Sequence, residues 1–246
     1  MTALMGLDTR LRLAKLHLVT DTRGGGKAFG DFCIEVFRHG VDMLQIRERG
    51  ISAAALTDAL ETARSVALQL NKLVVVSEDL TVATAFGADV VQLDATNAKT
   101  AKQAKATQHE YAMIGVATHD EAGLAAALAD DAVSYLTVGP VFGGEQTPYE
   151  LPGLDYVRLA ADRAPVADVN GKPWFAIGGI NAGNLDDVLA AGARRVVITR
   201  RSLGSGEPGA AVVAVADRLR TAWNDDEALQ DYAFSVFSGN VGHLKP

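Results

Sequence analysis

Lys172 to Ser202, KPWFAIGGINAGNLDDVLAAGARRVVITRRS, is the stretch on which the fold turns. Trp174-Phe175-Ala176-Ile177 is an apolar run of strand length, and Gly178-Gly179 stops it. Asn181 can cap a helix in which Leu185, Val188, Leu189 and Ala193 fall near helical spacing and which Gly192 closes. Val196-Val197-Ile198 is a second apolar run. Two parallel strands joined by a short helix make a βαβ unit. Lacking Cβ atoms, Gly178 and Gly179 let backbone N–H groups approach a ligand closely. The N-terminus of the following helix adds positive dipole character. Thr199-Arg200-Arg201 ends the second strand with a hydroxyl and two cations. Together these favour a phosphate dianion, whereas Gly-Gly alone would serve equally well as a tight turn with no ligand.

Working outward, the same alternation recurs along the chain. Residues 1–15 read as an amphipathic lead-in helix, and Leu16-His17-Leu18-Val19-Thr20 as the first strand. Met43 to Arg47, Leu73 to Val76, Val90 to Leu93, Met113 to Val116 and Tyr135 to Val138 are further strands. Between them lie helical patterns at Ala28 to His39, Ala53 to Leu70, the stretch up to Phe86, Lys99 to Lys105 and Glu121 to Leu128. A helix from Leu154 leads into the opening stretch, and Ala210 to Trp223 completes the last pair. Eight near-regular strand–helix units, with no dinucleotide fingerprint after the first strand, favour a closed (β/α)8 TIM barrel over an open doubly wound sheet. The expected organisation is a lead-in helix at 1–15, a single barrel at 16–223 and a C-terminal extension at 224–246. Tyr232, Phe234, Val236 and Phe237 make that extension too apolar for plain disorder. In such a barrel the chemistry gathers at the C-terminal strand ends. Gln45, Arg47, Arg49, Ser77, Glu78, Asp79, Asp94, Asn97, His119, Gly139, Gly178, Thr199 and Arg200 should therefore share one rim.

Bulk properties narrow the function. The chain of 246 residues is 48% apolar, enough for a full core, and its net charge of -7 argues against a general nucleic-acid binder. The single cysteine, Cys33, permits no internal disulfide or cysteine metal site, and its helical apolar pattern reads as packing. No apolar run approaches a membrane span and no signal segment opens the chain, so a cytoplasmic protein without membrane contact is expected.

Five motifs in order and spacing resemble those of thiamine phosphate synthases and their thiazole tautomerase relatives, most of all the actinobacterial synthases. They are Thr20-Asp21, Gln45-Ile46-Arg47-Glu48-Arg49, Ile114-Gly115-Val116-Ala117-Thr118-His119, Val138-Gly139-Pro140-Val141-Phe142 and Ala176-Ile177-Gly178-Gly179-Ile180. The resemblance spans about Leu16 to Arg220. It implies a barrel, usually homo-oligomeric, acting on small phosphorylated substrates. The implied reaction joins hydroxymethylpyrimidine diphosphate to a thiazole phosphate carboxylate, releasing diphosphate and carbon dioxide, with Mg²⁺.

Residue by residue, the resemblance assigns Gln45, Arg47 and Arg49 to the pyrimidine diphosphate, Arg49 standing where the family has lysine. Alternation along an extended chain would put these three side chains on one side, although a surface pair between Arg47 and Glu48 is the plainer alternative. Ser77-Glu78-Asp79 stands where synthases carry Asn-Asp, which makes Glu78 a Mg²⁺ ligand and Asp79 a substitute. The second ligand position holds Asn97, and Asp94 adds a carboxylate where the family has glycine. Ala117 replaces the serine that precedes His119 in the family. Thr147 keeps one hydroxyl of a Pro-Thr-x-Thr-Lys segment whose lysine is absent, with Arg200 or Arg201 as replacement cations. Gly153, Gly178, Gly179, Thr199 and Arg200 would bind the thiazole phosphate. Two other functions fit the same motifs. One is a metal-free isomerase of the tautomerase kind, whose catalytic histidine position is Pro140 here. The other is a barrel of the same pathway that binds a phosphate without turnover.

Overall fold

The computed structural model describes residues 6–94, 98–143, 151–204 and 206–239. Eight parallel strands close in chain order: β1 (Leu16–Thr20), β2 (Met43–Ile46), β3 (Leu73–Ser77), β4 (Val90–Leu93), β5 (Met113–Thr118), β6 (Tyr135–Val138), β7 (Trp174–Ile177) and β8 (Val196–Thr199). The seal is the β1–β8 ladder, Leu16 to Val19 against Val196 to Thr199. Helix α1 (Leu7–Leu13) precedes the barrel. The outer layer is α2 (Gly26–Arg38), α3 (Ala53–Gln69), α4 (Leu80–Phe86), α5 (Ala98–Thr107), α6 (Glu121–Ala129), α7 (Gly153–Arg163), α8 (Leu185–Ala190) and α9 (Pro208–Asn224). Helix α10 (Glu227–Phe237) follows.

The strands read as continuous apolar runs because both of their faces are covered. Alternate residues divide between two cores. Leu18, Leu44, Val76, Val91, Ile114, Leu136, Ala176 and Ile198 point outward into the layer shared with Phe29, Phe37, Leu60 and Leu219 of the helices. Met43, Leu73, Val75, Val90, Met113, Tyr135, Phe175 and Val197 fill the barrel interior. Leu11 and Ala14, in and just after α1, join that interior cluster and stopper the N-terminal end of the cylinder. Cys33 lies buried in α2, and burial pushes its thiol up to about 12, as expected of a packing cysteine.

Local chemistry departs from the sequence reading at two points, Asn181 and Arg49, and settles a third that the sequence left open, the C-terminal segment. Asn181 does not cap the helix of the opening stretch. Its Oδ1 accepts from the Gly183 N–H at 2.8 Å in an Asx turn, and α8 begins later, after Asn184. The dipole expected directly behind Gly178-Gly179 is therefore displaced by a turn. The extended geometry of β2 ends at Ile46, so Arg49 sits in a turn with Gly50 at φ 77° rather than in line with Gln45 and Arg47. Finally, the C-terminal segment through Phe237 is a helix packed on the barrel, with Leu229, Tyr232 and Val236 against Trp223 and with Phe234 and Phe237 facing outward.

Arg195 anchors this helix. Only 1% exposed, it makes no ion pair among the described residues. Its Nη2 donates to the Arg12 carbonyl at 2.9 Å and to the Tyr232 hydroxyl at 3.3 Å. Its guanidinium lies 5.1 Å from the Trp223 ring centroid and 5.5 Å from that of Tyr232. Burial lowers its pKa from the usual arginine value. A buried cation without a carboxylate relies on each of these partners. Tyr232→Phe removes the hydroxyl and should cost about 1–3 kcal/mol in urea unfolding.

Candidate active site

The site is built from what the barrel places at its C-terminal mouth. Gln45 projects inward from β2 and is 5% exposed. Its Nε2 donates to the Ser77 hydroxyl at the end of β3. The Arg47 N–H extends the β1–β2 ladder by one bond, to the Thr20 carbonyl at 2.8 Å. Beyond that bond its side chain crosses to the neighbouring strand ends. Nη2 lies 2.7 Å from Asp94 Oδ2 and 3.2 Å from Glu78 Oε1. The surface pair with Glu48 is absent, because Glu48 instead accepts from the Thr22 N–H at 2.9 Å and hydroxyl at 2.6 Å. Those bonds hold its carboxyl below the usual carboxylate range.

Glu78 turns sharply out of β3. Its φ of 53° lies in the left-handed region, and its N–H is held by the Gln92 carbonyl at 2.9 Å. This turn sets the Glu78 carboxylate beside Asp94, across the tips of β3 and β4. Burial, then hydrogen bonding to Asp94 and its like charge, raise the Glu78 pKa above the ordinary glutamate value, while Arg47 pulls it down. The next residue, Asp79, is not available as a ligand in this arrangement. Its Oδ1 caps α4 through the Val82 N–H at 2.9 Å. Among the described residues no group of three acidic, histidine or cysteine side chains assembles, and Glu78 and Asp94 are the two carboxylates that meet at these strand tips. Asn97 and Thr147 lie outside the described residues. Arg49 is exposed.

Across the mouth, Gly178 and Gly179 have φ of 113° and 63°. Both conformations suit glycine, and space gives a second reason. A Cβ on Gly178 would come 2.7 Å from Pro140 Cα, and one on Gly179 2.9 Å from Phe142 Cβ. The segment after β6 is laced to them, Val141 N–H to the Ile177 carbonyl at 2.8 Å and Phe142 N–H to the Gly178 carbonyl at 3.0 Å. The Gly179 carbonyl accepts from the Asn181 and Asn184 side chains at 3.2 and 3.0 Å. Neither glycine N–H has an acceptor among the described residues, so both are available to an anion. Beside them Thr199 ends β8 and Arg200 opens a 3-10 turn, Arg200–Leu203. Ser202 ties that turn back to the Ile180 carbonyl at 2.6 Å. Arg200 pairs with Asp21 at the end of β1. Gly153, at φ 64°, begins α7. His119 Nδ1 lies 2.8 Å from the Gly139 carbonyl. One inward residue below the mouth carried no functional reading in the sequence, namely His17, a single polar side chain in the run of β1.

The comparisons with known proteins agree with this architecture. The family model described as thiamine monophosphate synthase matches residues 16–201. The thiamine-phosphate synthase of Streptomyces avermitilis is 37% identical over 214 residues, 87% of this chain and 97% of that one. That of Mycolicibacterium gilvum is 39% identical over 225 residues, 86% of this chain and 90% of that one. A solved thiamine phosphate pyrophosphorylase from Pyrococcus furiosus superposes with a TM-score of 0.70 at 24% identity, covering 88% of this chain and 99% of that chain, which is a likeness of fold. With three-quarters of its length matched and actinobacterial relatives aligned nearly end to end, the chain belongs to the thiamine monophosphate synthase family.

Proposed function

We propose that the chain is a transferase of thiamine biosynthesis, joining hydroxymethylpyrimidine diphosphate to a thiazole phosphate carboxylate with release of diphosphate. The observation that carries this reading is the division of the mouth into two halves of different chemistry. One half, Gln45, Ser77, Arg47, Glu78 and Asp94, mixes amide, hydroxyl, cation and paired carboxylates. The other, Gly178, Gly179 and Thr199 with Arg200 nearby, offers backbone donors to a monophosphate. Gln45 and Ser77 read the pyrimidine ring, and Arg47 holds the diphosphate, with Arg49 as a more distant cation. The glycine pair, Thr199 and Gly153 hold the thiazole phosphate. Thr147 belongs to the same half by its place in the motif.

The donor set fits Mg²⁺: two hard carboxylate oxygens at adjacent strand tips, close enough to perturb each other. Glu78 and Asp94 would hold the ion. When bound, Mg²⁺ neutralises the charge that builds on the departing diphosphate. What the chain itself supplies is orientation and fixed charge. Arg47 is already held at the carboxylate pair by charge-assisted hydrogen bonds, so its guanidinium waits where an anionic leaving group needs it. The isomerase reading lacks its proton carrier, since Pro140 has no group to titrate.

The test is turnover. Purified protein given both substrates and Mg²⁺ should release diphosphate and form thiamine phosphate. Binding of thiazole phosphate without release would instead identify a barrel that only binds. Gly178→Ala puts a methyl against Pro140 in a left-handed conformation, and should weaken thiazole phosphate binding at least tenfold by calorimetry; unchanged affinity would remove the anion cradle. For the carboxylate pair, Asp94→Asn takes away a like charge and should lower the Glu78 titration midpoint, whereas Arg47→Ala should raise it. Carboxyl-carbon NMR titration reads both signs, and no movement in either variant would dissolve the proposed metal pair.

A further inference from the structure

We infer that His17 is a positioning residue that sets, from inside the barrel, which way the Gln45 amide faces. The inference rests on the reading that Gln45 touches the pyrimidine. His17 projects inward from β1 and is completely buried. The ladder pairs His17 with Met43 and Val19 with Gln45, so His17 and Gln45 are diagonal neighbours on the interior face. The imidazole is wedged edge-on against Phe175, with centroids 6.0 Å apart and planes at 83°. The Gln45 amide is within reach of the ring. Yet neither ring nitrogen completes a hydrogen bond. The pair is adjacent but misaligned.

An imidazole stripped of water with both nitrogens idle is costly, about 1–3 kcal/mol for each unsatisfied group. Such a group in the interior layer directly beneath a binding site calls for a reason. Gln45 supplies one. Its Nε2 is committed upward to Ser77, which leaves Oε1 as the end of the amide that can take a donor from His17. An amide can present either its oxygen or its NH₂ to a ligand, and the wrong face exchanges donor for acceptor. Burial keeps His17 neutral, lowering its pKa to about 3, so it carries one N–H at any working pH. A small rotation of the ring donates that N–H to Gln45 Oε1. Oxygen then faces down and the NH₂ faces up, toward Ser77 and the mouth. The pyrimidine side of the site thus presents donors, suited to an acceptor nitrogen of the ring.

Two measurements test this. In long-range ¹H–¹⁵N spectra, His17 should show a single neutral tautomer whose signals shift in Gln45→Leu. Identical His17 signals in the two proteins would overturn the inference whatever the enzyme does. Calorimetry with hydroxymethylpyrimidine diphosphate gives the functional arm. His17→Leu should bind it roughly five- to tenfold more weakly, the worth of one hydrogen bond, with kcat within about twofold of the parent and thiazole phosphate affinity unchanged. His17→Gln, which restores a donor, should recover most of the loss. Parent-like diphosphate binding in His17→Leu would also overturn the inference. If the parent itself binds no pyrimidine diphosphate, the reading of Gln45 fails, and the spectra alone decide the link between His17 and Gln45.

Discussion

Closure of the cylinder between β1 and β8 is the constraint from which the rest follows. Hydrogen bonding Leu16–Val19 to Val196–Thr199 leaves the sheet with no free edge. It also brings the two ends of the barrel sequence together. Asp21, just past β1, meets Arg200, just past β8, and the ion pair spans the seam at the mouth. At the opposite end the Lys15 carbonyl accepts the Val196 N–H at 2.9 Å, and Arg195 reaches the Arg12 carbonyl. The seam therefore fixes Thr199 and Arg200 at one end and docks α1 and α10 at the other. Opening it would expose the interior and separate Thr199 from the first strand.

The mouth shows how a site for charged ligands is held before they arrive. Glu78 and Asp94 repel each other, and Arg47 is the counter-ion that makes their proximity tolerable. The three groups together keep a single negative charge, which favours a divalent cation. Arg47 is about half exposed, so its ion pairs are worth little as stabilisation and can be exchanged cheaply. The glycine cradle opposite is rigid for the contrary reason. Its φ angles and its lacing to Val141 and Phe142 leave the backbone little room to shift.

Much of this could be read from the sequence. The strands were legible because burial on both faces turns them into unbroken apolar runs, and the glycine pair because two adjacent residues without side chains end one such run. Their alternation eight times over pointed to a closed barrel. What could not be read depended on contacts between distant strands. Whether Arg47 pairs with its neighbour Glu48 or crosses to Asp94 is decided by strand register, which a linear pattern does not contain. Asp79 could be read either as a spare ligand or as an acid at a helix N-terminus, and the structure makes it the helix cap, since the same carboxylate serves either purpose and only the position of the Val82 N–H distinguishes them. Asn181 failed as a cap because the Asx turn with Gly183 competes for the same side chain. His17 was hidden by its surroundings: one polar residue in a strand carries meaning only once its inward direction is known.

On the proposed reading, the family's second metal-ligand position shows how geometry can replace a residue that sequence resemblance counts as lost. Asn97 there is neutral, and by column alone the chain would have lost half of its cation-binding charge. The carboxylate is instead on Asp94, at the very tip of β4. The sharp left-handed turn at Glu78 brings its own carboxylate to meet it. A ligand set is defined by where oxygens converge, and neighbouring strand tips in a parallel barrel lie close enough for a carboxylate moved by three residues to reach the same region. Moving that acid to the strand end has a consequence for its neighbour. Asp94 now lies within hydrogen-bond reach of Arg47, so on the proposed reading the arginine assigned to the diphosphate and the acid assigned to the metal are coupled directly. On that reading, binding the cation and freeing the guanidinium become one event.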